Sequence, residues 1–171
     1  MRSLIIFISL VIGIFLIDQG IKNWAVARAI EIKTAQMPTG VSISEAELVG
    51  TTLIAGKCID LELHFNKGVA FSLFAFLGPY MKWVQGSLVL LLLLIIYKER
   101  YLERYAFPAG LVIGGAIGNV YDRFFHEGVV DYVAWHCGFH FAVFNFADVA
   151  IDLAFVILLI MMYLTPKKQT S

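Results

Sequence analysis

Five aspartates lie within or beside the most apolar stretches of this 171-residue chain. Ionisable residues in such stretches are costly and usually mark a functional site. Two carboxyl groups that are held close together in a low dielectric share one proton, because like charges repel there. One is then a base that activates water, and the other is an acid that protonates the scissile carbonyl or the leaving amine. The pattern therefore favours acid–base hydrolysis by members of this set: Asp18, Asp122, Asp131, Asp148 and Asp152.

Other kinds of site find less support in the sequence. No serine lies in a G-x-S-x-G elbow and no H-E-x-x-H occurs, so a serine hydrolase and a zinc metalloprotease are disfavoured. His136 and His140 are four residues apart and could bind a metal on a helix, but we favour interfacial side chains and predict no metal site. Cys58 and Cys137 could pair outside the cell, yet two unpaired cysteines are the favoured interpretation.

The composition indicates a membrane protein. Hydrophobic residues make up 60% of the chain and charged residues 15%, whereas soluble domains carry about 45–50% apolar and about 25% charged residues. The excess apolar surface must therefore face lipid. The formal net charge is zero, so no basic field attracts nucleic acid, and we predict no nucleic-acid partner.

Four segments are long and apolar enough, or nearly so, to cross a bilayer, which takes roughly 20 residues of helix. We predict an α-helical integral membrane protein with four transmembrane helices and a single domain over residues 1–171. The predicted spans cover residues 4–27, 80–97, 105–121 and 143–164.

The first segment could instead be a secretory signal, because Ala27-Arg28-Ala29 has the small-x-small pattern of a cleavage site. That site lies far beyond the apolar run, and Ile21 and Trp24 continue it at helical spacing. A retained helix is therefore favoured over a cleaved signal.

Basic residues near the ends of the spans predict the orientation. They precede the first span, crowd the link between the second and third, and follow the fourth. Both termini should therefore face the cytoplasm, and residues 28–79 and 122–142 should form links on the outer, periplasmic side. The residues concerned are Arg2, Lys98, Arg100, Arg104, Lys167 and Lys168.

The outer links contain a weaker β signal. Residues 58–65 alternate apolar and polar side chains, which predicts a strand, and residues 66–68 indicate a turn. Residues 135–143 are aromatic and could supply another strand, whereas residues 34–56 are weakly patterned and are predicted to be loop. A small β-sheet on the outer membrane surface is the expected result.

The polar residues of three spans and one link fall at one depth, near the outer interface. Residues three and four apart share a helix face, so Asn145, Asp148 and Asp152 lie together on the fourth span. Asn119 and Asp122 share a face of the third span. The inner halves are nearly free of charge, which disfavours a proton-coupled carrier, and a non-catalytic scaffold would not need clustered acids.

Glycines on the third span predict close helix packing. Gly110, Gly114 and Gly118 form a small-xxx-small ridge, which lets another helix approach closely. We interpret these glycines as packing residues that bring the polar faces together and do no chemistry.

Five motifs, in order along the chain, resemble those of the lipoprotein signal peptidases, also called signal peptidase II. The resemblance covers nearly the whole length. The motifs are Asp18-Gln19, residues 66–72 (NKGVAFS), residues 114–123 (GGAIGNVYDR), residues 129–132 (VVDY) and residues 144–148 (FNFAD).

The resemblance implies roles for individual residues. Asp131 and Asp148 match the catalytic pair of the family, and Asp18 matches a position that matters for stability. Other matching positions shape the pocket or hold substrate, namely Asn66, Gly68, Asn119, Asp122, Arg123 and Asn145.

The resemblance also implies the reaction. A membrane aspartyl endopeptidase would remove signal peptides from diacylglyceryl-modified prolipoproteins, cleaving just before the lipidated cysteine. Its partners would be that substrate and membrane lipid, it would act as a monomer, and it would need no metal or organic cofactor.

Two features depart from the family pattern. The stretch 30–59 is longer than the usual link. Asp152 lies one turn beyond Asp148, where members often carry an uncharged residue. By helical phase Asp152 could compete with Asp148 for the catalytic role, but its greater depth argues that it is protonated or hydrogen-bonded.

Overall fold

The computed structural model describes residues 1–38, 42–68, 75–139 and 141–164. Within these ranges the protein is mostly helical, with one small antiparallel sheet. Some features named above lie partly or wholly outside these ranges. They are residues 39–41 of the predicted loop, residues 69–72 of the second motif, His140 of the histidine pair and aromatic stretch, and the basic residues Lys167 and Lys168.

Helix α1 (Arg2–Gln36) has 35 residues and is much longer than the predicted span. At 1.5 Å per residue it is about 52 Å long, whereas a bilayer core is about 30 Å thick. Its first half carries exposed apolar side chains, and its last turns pack Ala25 and Ala29 into a core beneath the sheet. The helix is continuous through Arg28, so the outer link begins after Gln36 and not at residue 28.

Three helices are long and apolar enough to cross a membrane, among the residues that the structure describes. They are α1, the segment Phe76–Lys98 and α5 (Phe146–Leu164). The second of these combines a 3₁₀ turn (Ala75–Tyr80) with α3 (Met81–Lys98). These helices expose most of their apolar side chains, as lipid-facing helices do.

Helix α4 (Leu102–Phe125) is the central helix and differs from the other three. Half of its 24 residues are buried, whereas α3 buries only Met81 and Ile96. Because α1, α3 and α5 cover it, α4 does not need the apolar composition that lipid requires, and charged residues lie near both of its ends. This explains why length and composition identify three spans where four were predicted.

The glycine ridge of α4 packs closely against another helix, as predicted, and that helix is α1. A Cβ atom added at Gly110 would lie 2.7 Å from the Cβ of Leu10, and one added at Gly114 would lie 2.9 Å from the Cβ of Ile14. The two helices therefore approach so closely that no larger side chain fits between them without a shift.

A three-stranded antiparallel sheet lies at the end of the bundle where α1 extends furthest. Its order is β1 (Thr51–Ile54), β2 (Ile59–Asn66) and β3 (Val129–Trp135). The strand predicted over residues 58–65 is β2, and the predicted small sheet is present. Apolar side chains of its inner face join the α1 alanines in one core: Leu53, Leu63, Phe65, Val130 and Tyr132.

Two predictions about the links are wrong. Residues 34–56 are not a loop, because they contain the end of α1, a short helix α2 (Glu45–Leu48) and β1. A capping box between Ser44 and Glu47 begins α2. Among the described residues of the aromatic stretch 135–143, only Trp135 lies in a strand, since β3 ends there and the chain turns at Gly138, whose φ is +79°. That left-handed conformation suits glycine and ends the strand.

Cys58 and Cys137 form a disulfide, so the favoured unpaired interpretation is wrong. The bond joins the chain just before β2 to the chain just after β3. These two strands are antiparallel neighbours, with Ile59 opposite Trp135. Strand pairing therefore brings together two cysteines that are 79 residues apart in the sequence.

Candidate active site

Strand β3 places Asp131 on the face of the sheet opposite to that of Val130 and Tyr132. The residue is 2% exposed and pairs in register with His64 of β2. Its carboxylate accepts hydrogen bonds from Asn66 Nδ2 at 3.1 Å and from Asn145 Nδ2 at 2.7 Å. Two amide donors from different elements therefore fix the direction of this carboxyl group.

The first turn of α5 places Asp148. Its backbone N–H donates to Asn145 Oδ1 at 3.0 Å, and the Asn145 N–H donates to Asp148 Oδ2 at 3.1 Å. This reciprocal pair is a capping box, and an acid in the first turn also suits the helix dipole. Asn119 Nδ2 of α4 donates to the other oxygen, Asp148 Oδ1, at 2.9 Å.

Asn145 joins the two acids. Its side-chain amide donates to Asp131, its backbone N–H donates to Asp148, and it is fully buried. The same amide also donates to Asn119 Oδ1 at 3.2 Å. One residue thus holds a carboxyl group from the sheet and one from the helix bundle in the same site.

The surroundings of Asp131 favour its neutral form. Burial, and to a lesser extent the charge of Asp148, raise the pKa of Asp131 to about 7. The hydrogen bonds from Asn66 and Asn145 and the charge of Lys22 act in the opposite direction. Asp131 can therefore carry a proton near neutral pH, as the acid partner of a carboxyl pair does.

A cavity of about 460 Å³ opens beside the two acids. Its polar wall includes Asp131, Asp148 and Asp152, and its apolar wall includes residues 141–144, which follow β3. A site of this kind can admit an apolar chain on one side and a peptide on the other.

Asp152 lines this cavity one turn beyond Asp148 and is exposed to it. Its position agrees with the helical phase read from the sequence. It does not take part in the amide network that holds Asp131 and Asp148. Geometry alone therefore favours Asp148 over Asp152 as the partner of Asp131.

Arg123 closes the cavity from the α4 side. Its guanidinium donates to Gln85 Oε1 of α3 at 2.8 Å, to the Asn119 carbonyl at 3.3 Å, and to the Gly68 carbonyl. Gly68 N in turn donates to Asn66 Oδ1 at 3.0 Å, which leaves the Asn66 amide free to bond Asp131. Gln85 was missed in the sequence, because a single glutamine near the end of an apolar span has no distinguishing pattern.

A buried ion cluster lies directly behind the two acids. Lys22 Nζ is 2.7 Å from Asp18 Oδ2 and 2.7 Å from Asp122 Oδ2, and all three side chains are buried. Gln19 Nε2 also donates to Asp122 Oδ1 at 2.8 Å. Lys22 was not among the site residues predicted from the sequence, although its spacing of four residues from Asp18 was a signal that could have found it.

The structure brings all the predicted site residues into one connected network of hydrogen bonds and ion pairs. This agreement concerns position, and the chemical roles stay predictions. The residues are Asp18, Asn66, Gly68, Asn119, Asp122, Arg123, Asp131, Asn145 and Asp148.

Comparison with known proteins identifies the family. The sequence model of the family described as signal peptidase (SPase) II matches residues 10–164, which include every element of the site. The chain belongs to the signal peptidase II family.

Relatives in this signal peptidase II family match over nearly their whole length. A lipoprotein signal peptidase of Sulfurovum sp. (strain NBC37-1) is 57% identical over 168 residues, covering 98% of this chain and 99% of that protein. A lipoprotein signal peptidase of Helicobacter pylori (strain ATCC 700392 / 26695) is 38% identical over 171 residues. The match covers 99% of this chain and 94% of that protein. A solved structure described as a bacterial membrane enzyme is 20% identical in sequence and has a TM-score of 0.65. The superposition covers 99% of this chain and 93% of that one, and this likeness shows the same fold.

Proposed function

We propose that this signal peptidase II family member is an aspartic peptidase whose catalytic pair is Asp131 and Asp148. The protein removes signal peptides from prolipoproteins, as the names of its relatives indicate. The observation that carries the aspartic assignment is the bridge that Asn145 forms between the two carboxyl groups beside the cavity.

The proposed mechanism gives the two acids opposite tasks. Asp131, with its raised pKa, holds the shared proton, and Asp148 takes a proton from water as that water attacks the scissile carbonyl carbon. Asp131 protonates the carbonyl oxygen, and a tetrahedral diol forms. Asp148 then passes its proton to the leaving nitrogen, and the C–N bond breaks. The diol returns its proton to Asp131, leaving a carboxyl group and an amine.

The other site residues have supporting tasks in this proposal. Asn119 and Asn145 orient the pair, while Asn66 and Gly68 orient Asp131 and shape the cavity rim. Arg123 holds the Gly68 carbonyl and so shapes the same rim. Asp18 and Asp122 form the buried ion pairs with Lys22 that lie next to the catalytic pair and stabilise its surroundings.

The proposed membrane placement follows from the same features. Helix α4 crosses the bilayer as a fourth span inside the other three, and the whole chain acts as one membrane-embedded unit and as a monomer. Both termini face the cytoplasm, and the sheet lies on the periplasmic surface. The disulfide between Cys58 and Cys137 supports the periplasmic location of the sheet, because disulfides persist in the oxidising periplasm.

The substrate in this proposal is a prolipoprotein whose cysteine carries a diacylglyceryl group, with cleavage just before that cysteine. A cavity with acids on one wall and apolar side chains on another suits such a residue. The acyl chains can stay in the bilayer while the peptide bond reaches Asp131 and Asp148, so the lipid need not leave the membrane.

The substrate assignment is tested with purified enzyme and two forms of one prolipoprotein, with and without the diacylglyceryl group. We expect cleavage of the lipidated form only, with mass spectrometry locating the cut just before the modified cysteine. Equal cleavage of both forms would mean that the site does not recognise lipid. Cleavage of neither form would favour a carrier or a scaffold.

A further inference from the structure

Lys22 is a buried cation for which the proposed mechanism has no task. It is 1% exposed and lies on α1, one turn after Asp18. An ammonium group has three N–H donors, and the Lys22 group has three acceptors. These are Asp18 Oδ2 at 2.7 Å, Asp122 Oδ2 at 2.7 Å and Asn119 Oδ1 at 3.0 Å.

Each carboxylate bound to Lys22 also holds the backbone next to one acid of the catalytic pair. Asp122 Oδ2 accepts a hydrogen bond from the N–H of Val130, the residue before Asp131, at 3.1 Å. Asp18 Oδ1 accepts one from the N–H of Ala147, the residue before Asp148, at 3.0 Å. The ion cluster is therefore hydrogen-bonded to both β3 and α5, in each case at the residue that precedes the catalytic aspartate.

The third acceptor connects Lys22 to the side chains of the pair. Because Lys22 and Asn145 both donate to Asn119 Oδ1, the Asn119 amide nitrogen must face the other way. There it donates to Asp148 Oδ1 at 2.9 Å. The lysine thus fixes which end of the Asn119 amide meets the catalytic carboxyl group.

We propose that Lys22 is a positioning residue that sets the separation and orientation of Asp131 and Asp148. This inference rests on the proposed catalytic pair. Without the ammonium group, Asp18 and Asp122 are two buried carboxylates that repel each other in a low dielectric. They would separate or take up a proton. Either change loosens the hold on Val130 and Ala147, and a misplacement of about 1 Å can cost about 10²-fold in rate.

The test compares kcat and KM of Lys22→Met with those of the unmodified enzyme on a lipidated prolipoprotein. Lys98→Met is the matched control, because Lys98 is an exposed lysine at the far end of α3. We expect Lys22→Met to lower kcat about 10²-fold or more, with KM changed less than about threefold. We expect the control to match the unmodified enzyme.

A triple variant, Lys22→Met with Asp18→Asn and Asp122→Asn, separates positioning from simple charge balance. It leaves no unpaired buried charge in the cluster, so we expect it to stay folded even where the single variant does not. The Gln19 amide can still bond residues 18 and 122, but the ammonium link from them to Asn119 is gone. We therefore expect its kcat to stay at least about tenfold below that of the unmodified enzyme.

Three results would overturn the inference. They are a normal kcat in Lys22→Met, a normal kcat in the triple variant, and a loss confined to KM. Each is distinct from a failure of the proposed function, which would appear as activity in Asp131→Asn or Asp148→Asn.

Discussion

Replacing either Asp131 or Asp148 with asparagine is expected to abolish cleavage of a lipidated prolipoprotein. Asparagine keeps the shape of the side chain but can neither accept nor deliver the proton. General acid–base catalysis contributes about 10²–10⁴-fold per group, and the two acids act as one unit, so we expect a loss of about 10³-fold or more in kcat. The amount of folded protein should not fall, because the amide can still bond Asn145.

Asp152→Asn is the matched control for this prediction. It makes the same change one helical turn further along the same cavity wall. Because Asp152 lies outside the amide network around Asn145, we expect this variant to keep most of the activity. The assay is cleavage by purified variants at equal folded concentration. Turnover in Asp148→Asn together with loss in Asp152→Asn would show that the wrong acid was chosen on α5.

Gly118→Ala is expected to destabilise the protein more than any other single methyl addition on the glycine ridge. The new Cβ would lie 2.5 Å from Asp18 Oδ2, so it would collide with the ion cluster of Lys22. Overpacking a well-filled interior costs about 1–3 kcal/mol, and separating a buried ion pair costs about 3–5 kcal/mol. We therefore expect loss of folded protein, or a markedly lower unfolding temperature in detergent.

Gly86→Ala on α3 provides the control for that prediction. Its chain neighbours and own helix backbone aside, no atom of the described residues lies within 4 Å of the position that its Cβ would occupy. Alanine is favoured over glycine in a helix by about 1 kcal/mol, so this variant should unfold at the same temperature as the unmodified protein or a higher one. Equal unfolding temperatures for the two variants would contradict the close packing of α4 on α1.

The sequence predicted the parts of this fold that depend on periodicity. The apolar runs predicted the long helices, the four-residue spacing of Gly110, Gly114 and Gly118 predicted a close helix contact, and the alternation over residues 58–65 predicted β2. Helical phase also placed Asn145 and Asp148 on one face, where the structure has them bonded to each other. Each of these signals is local, and local patterns survive in a single sequence.

The predictions that were wrong concern parts of the fold that depend on residues distant in the chain. β1 is four residues long and is a strand because it pairs with β2, with Thr51 opposite Leu63. The end of β3 depends on its pairing with β2 and on the turn at Gly138. The disulfide follows from the same pairing, since Cys58 and Cys137 extend from neighbouring strands.

The burial of Lys22 in the site also could not be predicted, because it depends on a residue distant in the sequence. A lysine beyond an apolar run is usually expected to extend its charge towards water. The buried position of Lys22 follows from Asp122 of α4, which is 100 residues away in the sequence. Spacing on α1 could reveal the contact with Asp18, but only the packing of α1 on α4 reveals the second carboxylate and the link to Asn119.

The pH dependence of kcat/KM on a lipidated prolipoprotein tests the catalytic pair most directly. Because the pKa of Asp131 is raised to about 7, this acid holds its proton below that pH and loses it above. Activity should therefore fall as the pH rises through about 7, and it should fall again at low pH as the second carboxyl group of the pair becomes protonated. A bell-shaped profile is the predicted result. Activity that stays constant or rises from pH 7 to pH 9 would contradict a shared proton between Asp131 and Asp148.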